Sequence, residues 1–181
     1  MKRRILNLLL VLTMGMSLLA GCGGSDAAGD AASQGNEEVV KQEEIDTSIY
    51  SESVTLTTEA GKTVQVYYDP SVIDYMDFED SWFCLGNMRA FDVRDAQSAQ
   101  AFMDAYLEKE VYLEISEQEE ITLGGYTVHC YKLIETESGS FIGRYGVVEL
   151  GSGVVFDFAY MAELTEETDG EVLAAIKFVV E

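Results

Sequence analysis

The chain has 181 residues, nearly half of them hydrophobic, with 33 acidic against 11 basic side chains and a formal net charge of -22 at pH 7. An acidic excess of this size argues against nucleic acid as a partner, because phosphate binding needs Lys and Arg to release counterions, and it disfavours docking on anionic lipid headgroups. Basic partners and divalent cations stay open on charge alone.

The first elements in chain order form a targeting pattern. Lys2, Arg3 and Arg4 precede an apolar run from Ile5 to Leu19, and Leu19-Ala20-Gly21-Cys22 places small residues before a cysteine. The run is too short for a permanent spanning helix, which needs about 20 apolar residues. These residues resemble the lipobox of bacterial lipoproteins. The resemblance implies that Cys22 receives a diacylglycerol thioether and that a dedicated peptidase cuts between Gly21 and Cys22. Residues 1–21 would then be removed, and the lipid on Cys22 would hold the remainder outside the cytoplasm, on the outer face of the cytoplasmic membrane rather than on an outer membrane. Several acyl chains make a stable anchor, at about 0.8 kcal/mol per buried methylene. Loss of Lys2, Arg3 and Arg4 from the 11 basic residues leaves 8 against 33 acids, a mature charge of -25.

Residues 22–48 read as a lipidated N-terminus and a flexible acidic tether, rich in Gly, Ala, Ser and Glu and without aromatics before Tyr50. Such a segment has a mean reach of about 28 Å. Residues 49–181 read as one globular domain, long enough to bury about two-thirds of its unfolded surface. Val54 to Thr58 and Thr63 to Tyr68 predict a hairpin with Gly61 in the turn, ended by Asp69-Pro70. Ser81 to Leu85 and Met88 to Val93 predict short strands. Between Asp95 and Lys109, the spacing of Ala99, Phe102, Met103, Tyr106 and Leu107 predicts a helix with one apolar stripe, capped by Asp95 or Ser98. Four more strands follow: Glu119 to Leu123, Tyr126 to Glu135, Phe141 to Leu150 and Val154 to Met161, separated by glycine-bearing turns. In the last, Val154, Phe156, Phe158 and Tyr160 share a face that demands an apolar cover. Thr168-Asp169-Gly170-Glu171 resembles a capping box, opening a helix on Val172, Ala175, Ile176 and Val179. The class is α+β, an antiparallel sheet covered by helices.

This order is similar to that of the Mog1/PsbP-like family. The features that carry the resemblance are the early hairpin ending at Tyr68-Asp69-Pro70, the helix from Ala99 to Leu107, Gly125-Tyr126-Thr127-Val128 opening a run of hairpins, and the closing Val172 to Phe178 helix end. The resemblance implies a noncatalytic αβα sandwich that binds other proteins, with no particular partner transferred. Cystatin-like and NTF2-like sheet-and-helix folds are the alternatives.

Residues that could carry chemistry are few. The one histidine, His129, sits mid-strand beside Cys130, and neighbours in a strand point to opposite faces. His129 paired with Cys84 is the sole nucleophilic arrangement left, and a half-buried strand histidine is the plainer reading. Cys84 and Cys130 could oxidise outside the cytoplasm, which would stabilise by about 4 kcal/mol, yet both lie in apolar runs where free cysteine packs as a small hydrophobe. Zinc fails on ligand count. The acid runs Asp74, Asp77, Glu79, Asp80 and Glu163, Glu166, Glu167, Asp169, Glu171 lack the oxygen spacing of a calcium loop and read as solvated faces. No catalytic residue, metal site or cofactor is therefore predicted. Tyr75, Phe78 and Trp82 are the predicted binding face, since Trp and Tyr anchor interfaces. The functional expectation is a lipid-anchored module that binds an envelope protein. The alternatives are a small-molecule or ion receptor and, last, an envelope hydrolase.

Overall fold

A computed structural model of the chain describes residues 45–73, 83–85 and 87–181, all within a compact unit spanning Lys41–Glu181. Gly21, Cys22 and most of the tether lie outside the described residues, as do Tyr75, Phe78 and Trp82.

The elements run β1 (Glu52–Thr57), β2 (Thr63–Tyr68), β3 (Phe83–Leu85), β4 (Met88–Asp95), α1 (Ala99–Lys109), β5 (Leu113–Leu123), β6 (Tyr126–Glu135), β7 (Phe141–Gly151), β8 (Val154–Tyr160), a π-helical turn (Glu166–Gly170), α2 (Glu171–Ala174) and β9 (Ile176–Val180). They build two antiparallel sheets, one of three strands in the order β1-β2-β9 and one of six in the order β3-β4-β8-β7-β6-β5. The architecture is a sheet-rich α+β fold.

Strand alternation decides which side chain faces which layer. In β8, Val154, Phe156, Phe158 and Tyr160 turn to a core shared with Val64 and Val66 of β2, Phe178 of β9, and Val172 and Leu173 of α2. The cover over the aromatic face is thus the small sheet with the short helical segment. Ring pairs cross the layers, Phe156 lying 4.9 Å from Phe178. Gly146 of β7 pairs with Phe158 across the ladder, and a Cβ there would collide with the Phe158 ring, so glycine makes room for the buried aromatic.

The opposite face of the large sheet carries α1. Ala99 and Met103 are buried against Tyr131, Leu133, Val147 and Val155, with Phe102, Tyr106 and Leu107 packed beside them, the predicted stripe. Of the two predicted caps, Ser98 serves, its hydroxyl accepting from Ala101 N–H at 3.1 Å. Glu149 of β7 accepts from Ala99 N–H at 2.7 Å, so a second orphan donor of the helix start is met from the sheet.

Two predicted elements differ from the structure. The closing helix ends at Ala174, after the one turn of α2, and the rest of it is a strand: β9 pairs antiparallel with β2, Val66 opposite Phe178 and Val64 opposite Val180. Ile176, Phe178 and Val180 recur with period two, whereas Val172, Ala175, Ile176 and Val179 recur at helical spacing, and in so short a run tertiary pairing decides between the two. The cap also moves, to Thr165, whose hydroxyl accepts from Thr168 N–H at 3.3 Å. Secondly, β5 begins at Leu113, earlier than Glu119, because it is the outer strand of the large sheet and most of its side chains are solvated. Its charges guard an edge, which hides the apolar alternation that marks a buried strand.

Candidate functional site

Two places combine accessibility with chemistry. The first is a groove of about 320 Å³ beneath the C-terminal half of α1. Phe102 and Tyr106 form its helix side, and Arg94 of β4, Tyr145 of β7 and Asp157 of β8 its floor, with Glu59, Asp95, Lys109 and Glu110 at the margin. These residues meet because β4, β8 and β7 are consecutive in the sheet, and Arg94, Asp157 and Tyr145 share the face turned to α1. The Tyr106 and Tyr145 rings lie 5.3 Å apart, and their hydroxyls are 3.3 Å apart, within hydrogen-bonding distance.

Asp157 is only 3% exposed. Arg94 reaches it through Nε at 3.3 Å while leaning to Asp92, with Nη1 at 3.8 Å from Oδ2. Burial pushes the Asp157 carboxyl up to about 6; Arg94 opposes this and Asp92 adds to it. Burial and the bond to Tyr106 likewise raise the Tyr145 phenol. A buried, aromatic-walled carboxylate can hold a positively charged group. One guanidinium, half in solvent, lies beside Asp157, and no histidine lines the groove.

The second place is one end of the large sheet. Val111 and Tyr112 precede β5, Phe141 and Ile142 open β7, and Met161 follows β8; all are exposed, Val111 to 79% and Met161 to 75%. Register sets them all at this end. Tyr112 carbonyl accepts from Thr136 N–H beside the β6–β7 turn, Ile134 pairs with Phe141, and Met161 stands two residues past the Tyr145–Ala159 pair. Arg144 lies over the Phe141 ring, 4.8 Å from its centroid. None of these five apolar side chains stands out in the sequence, because each sits at an element end among ordinary strand residues, and only strand pairing sets them at one end of the sheet.

His129 sits on the α1 side of β6, Nδ1 3.4 Å from Glu120 and Nε2 3.7 Å from Glu149, so its ring is occupied by carboxylates from both flanking strands. Cys130 faces the other core as a free, buried thiol, pushed by desolvation up to about 11. Such a thiol is inert at neutral pH; the side chain of Cys84, its suggested partner, lies outside the described residues. In the second acid run, Glu163, Glu166, Glu167 and Glu171 are exposed as expected. Asp169 corrects that reading, because it is fully buried, and one oxygen accepts from Thr165 N–H at 2.7 Å. Among the described residues no group of three His, Cys, Asp or Glu is arranged to hold a metal ion, and no helix is long and apolar enough to cross a membrane. Comparison with protein-family models, with curated proteins and with solved structures gave no match.

Proposed function

We propose that this chain is a lipid-anchored extracytoplasmic protein whose domain is noncatalytic and binds another protein of the cell envelope through the exposed apolar end of its large sheet. The anchor rests on Leu19-Ala20-Gly21-Cys22, with lipid on Cys22. The observation that carries the binding reading is where the exposed hydrophobes lie relative to the incoming chain. Tyr50, just past the tether, donates to Ala174 carbonyl, and the Ala174 backbone abuts Gly124 in the β5–β6 turn. Phe141 pairs with Ile134, at the far end of β6 from that turn. Ten residues of strand separate the two ends by roughly 30 Å. Phe141, Ile142, Tyr112 and Met161 thus stand clear of the end of the domain where Tyr50 docks.

The partner expected from this surface is apolar at the centre of contact and basic around it, because 8 basic residues face 33 acids in the mature chain. A noncatalytic role is supported by the carboxylate-bound His129 and the desolvated thiol of Cys130. The finer fold reading, a Mog1/PsbP-like domain, is proposed on the order of early hairpin, single long helix and antiparallel hairpins; the closing strand departs from it. The outer face of the cytoplasmic membrane remains the proposed address.

In-cell crosslinking of the tagged, acylated protein, followed by mass spectrometry, tests the reading. One envelope protein should be recovered with the native chain, and lost both with Cys22→Ala and with the double substitution Phe141→Ser, Ile142→Ser. Recovery undiminished by the double substitution, in a protein that melts normally, would refute this surface.

A further inference from the structure

The groove beneath α1 has no part in the proposed protein contact, and its chemistry points to a different ligand. We propose that it binds a small organic cation, an alkylammonium or quaternary ammonium group, seated against the Phe102, Tyr106 and Tyr145 rings with Asp157 as its carboxylate on the floor.

Three independent features agree on the sign of the ligand. The walls are aromatic, and a ring face attracts a desolvated cation while offering nothing to an anion. Phe102 and Tyr106 stack on α1 with centroids 6.4 Å apart, and Tyr145 closes on Tyr106 from the sheet, so one cation can touch more than one ring. Next, the lining charges are unequal: Glu59, Asp95, Glu110 and Asp157 against Arg94 and Lys109. An anion drawn to either cation would stand among four carboxylates. Finally, Asp157 retains accepting capacity. A carboxylate offers about four lone-pair sites, and Arg94 meets Asp157 through a single 3.3 Å bond from Nε. Asp95, by contrast, is committed to Thr58 and Ala60, which leaves Asp157 as the deep acceptor.

The size is consistent with a small ligand. A volume of about 320 Å³ is near the lower bound for small-molecule sites, which start at about 300 Å³. The pairing of apolar walls with a few convergent polar groups is the usual design of such sites. The residues are distinct from Phe141, Ile142 and Met161, so this inference stands or falls separately from the protein contact.

Titration calorimetry on the purified full-length chain tests it, with four probes: choline, butylammonium, the neutral choline isostere 3,3-dimethylbutan-1-ol, and butyrate. At least one cation should bind saturably with millimolar or tighter affinity, and its neutral and anionic counterparts at least about tenfold more weakly. Asp157→Asn should weaken cation binding about tenfold, since it removes the charge and keeps the shape. Tyr106→Leu should weaken it several-fold with the fold intact by circular dichroism; this partly exposed position carries the test if Asp157→Asn fails to fold. Absence of saturable cation binding, equal binding of the alcohol or of butyrate, or unchanged affinity in a folded Asp157→Asn protein would each overturn the proposal.

Discussion

The two faces of the six-stranded sheet are built from the same strands and do opposite things. Toward the small sheet, β8 presents Val154, Phe156, Phe158 and Tyr160, all at most 6% exposed, in a core of aromatic and branched side chains. Toward α1, the same strand presents Val155 and then Asp157, its neighbours β4 and β7 add Arg94 and Tyr145, and β6 beyond them adds His129. One face is dry and closed by an extended layer; the other is covered by a single helix too narrow to seal it. The difference teaches where stability and where recognition reside. A second sheet can exclude water along the whole face, so apolar contact stabilises it. A lone eleven-residue helix leaves its flank open, and polar groups survive there because water or a ligand can reach them.

The sharpest way to break this contrast is to damage the dry face. Phe158→Ala should destabilise by about 3–5 kcal/mol, because the lost ring leaves a cavity between two layers that relax only partly. Urea denaturation followed by tryptophan fluorescence measures it. A cost near 1 kcal/mol would mean that the aromatic face is not the stabilising one.

The polar face should respond to pH instead. Unfolded, an Asp such as Asp157 ionises near 3.8, whereas in the fold, facing Arg94 and Asp92 on β4, Tyr145 on β7 and Tyr106 on α1, it holds its proton up to about 6. Because the folded value is the higher one, the native state binds more protons between these limits and loses stability as pH rises through them. Asp157→Asn removes that loss. The variant should therefore gain on the order of 2–3 kcal/mol at pH 8 relative to its difference from the parent at pH 4. Paired denaturation curves at the two pH values measure this, and a pH-independent difference would show that Asp157 is not desolvated.

The smallest expected effect lies beneath the helix. Tyr131 is 1% exposed, and its hydroxyl has no hydrogen-bond partner among the described residues. Tyr131→Phe keeps the packing and removes an unmet polar atom, so it should be neutral or stabilising by up to about 1 kcal/mol. A loss exceeding 1 kcal/mol in the same assay would reveal a partner for that hydroxyl and a wetter helix interface than the geometry implies.

Legibility in the sequence followed the same division. The stripe of α1 was readable because five apolar residues recur at helical spacing and each packs on the sheet. The hairpins of β6, β7 and β8 were readable from strand runs broken by glycines, which adopt positive φ at Gly125, Gly139 and Gly151. The groove was not, since Arg94, Tyr106, Tyr145 and Asp157 are scattered over 63 positions and none belongs to a motif. Asp157 in particular looks in sequence like any other acid in an acidic chain. Only its place in β8, between two apolar layers, makes it unusual.

By itself the sequence determined the local elements whose periodicity is unambiguous, the sheet-rich α+β class and the acidic charge. It also carried Leu19-Ala20-Gly21-Cys22, whose resemblance to a lipobox is legible because it is a contiguous string. The tertiary structure decided the rest. It turned Ile176–Val180 into the third strand of the small sheet, closed the aromatic face with that sheet, and gathered Phe141, Met161 and Tyr112 at one end and Asp157 with Tyr106 at the groove. The reason is physical: hydrogen-bonded ladders join residues remote in sequence, and burial, which follows from that pairing, sets both the cover of a face and the charge of a carboxylate.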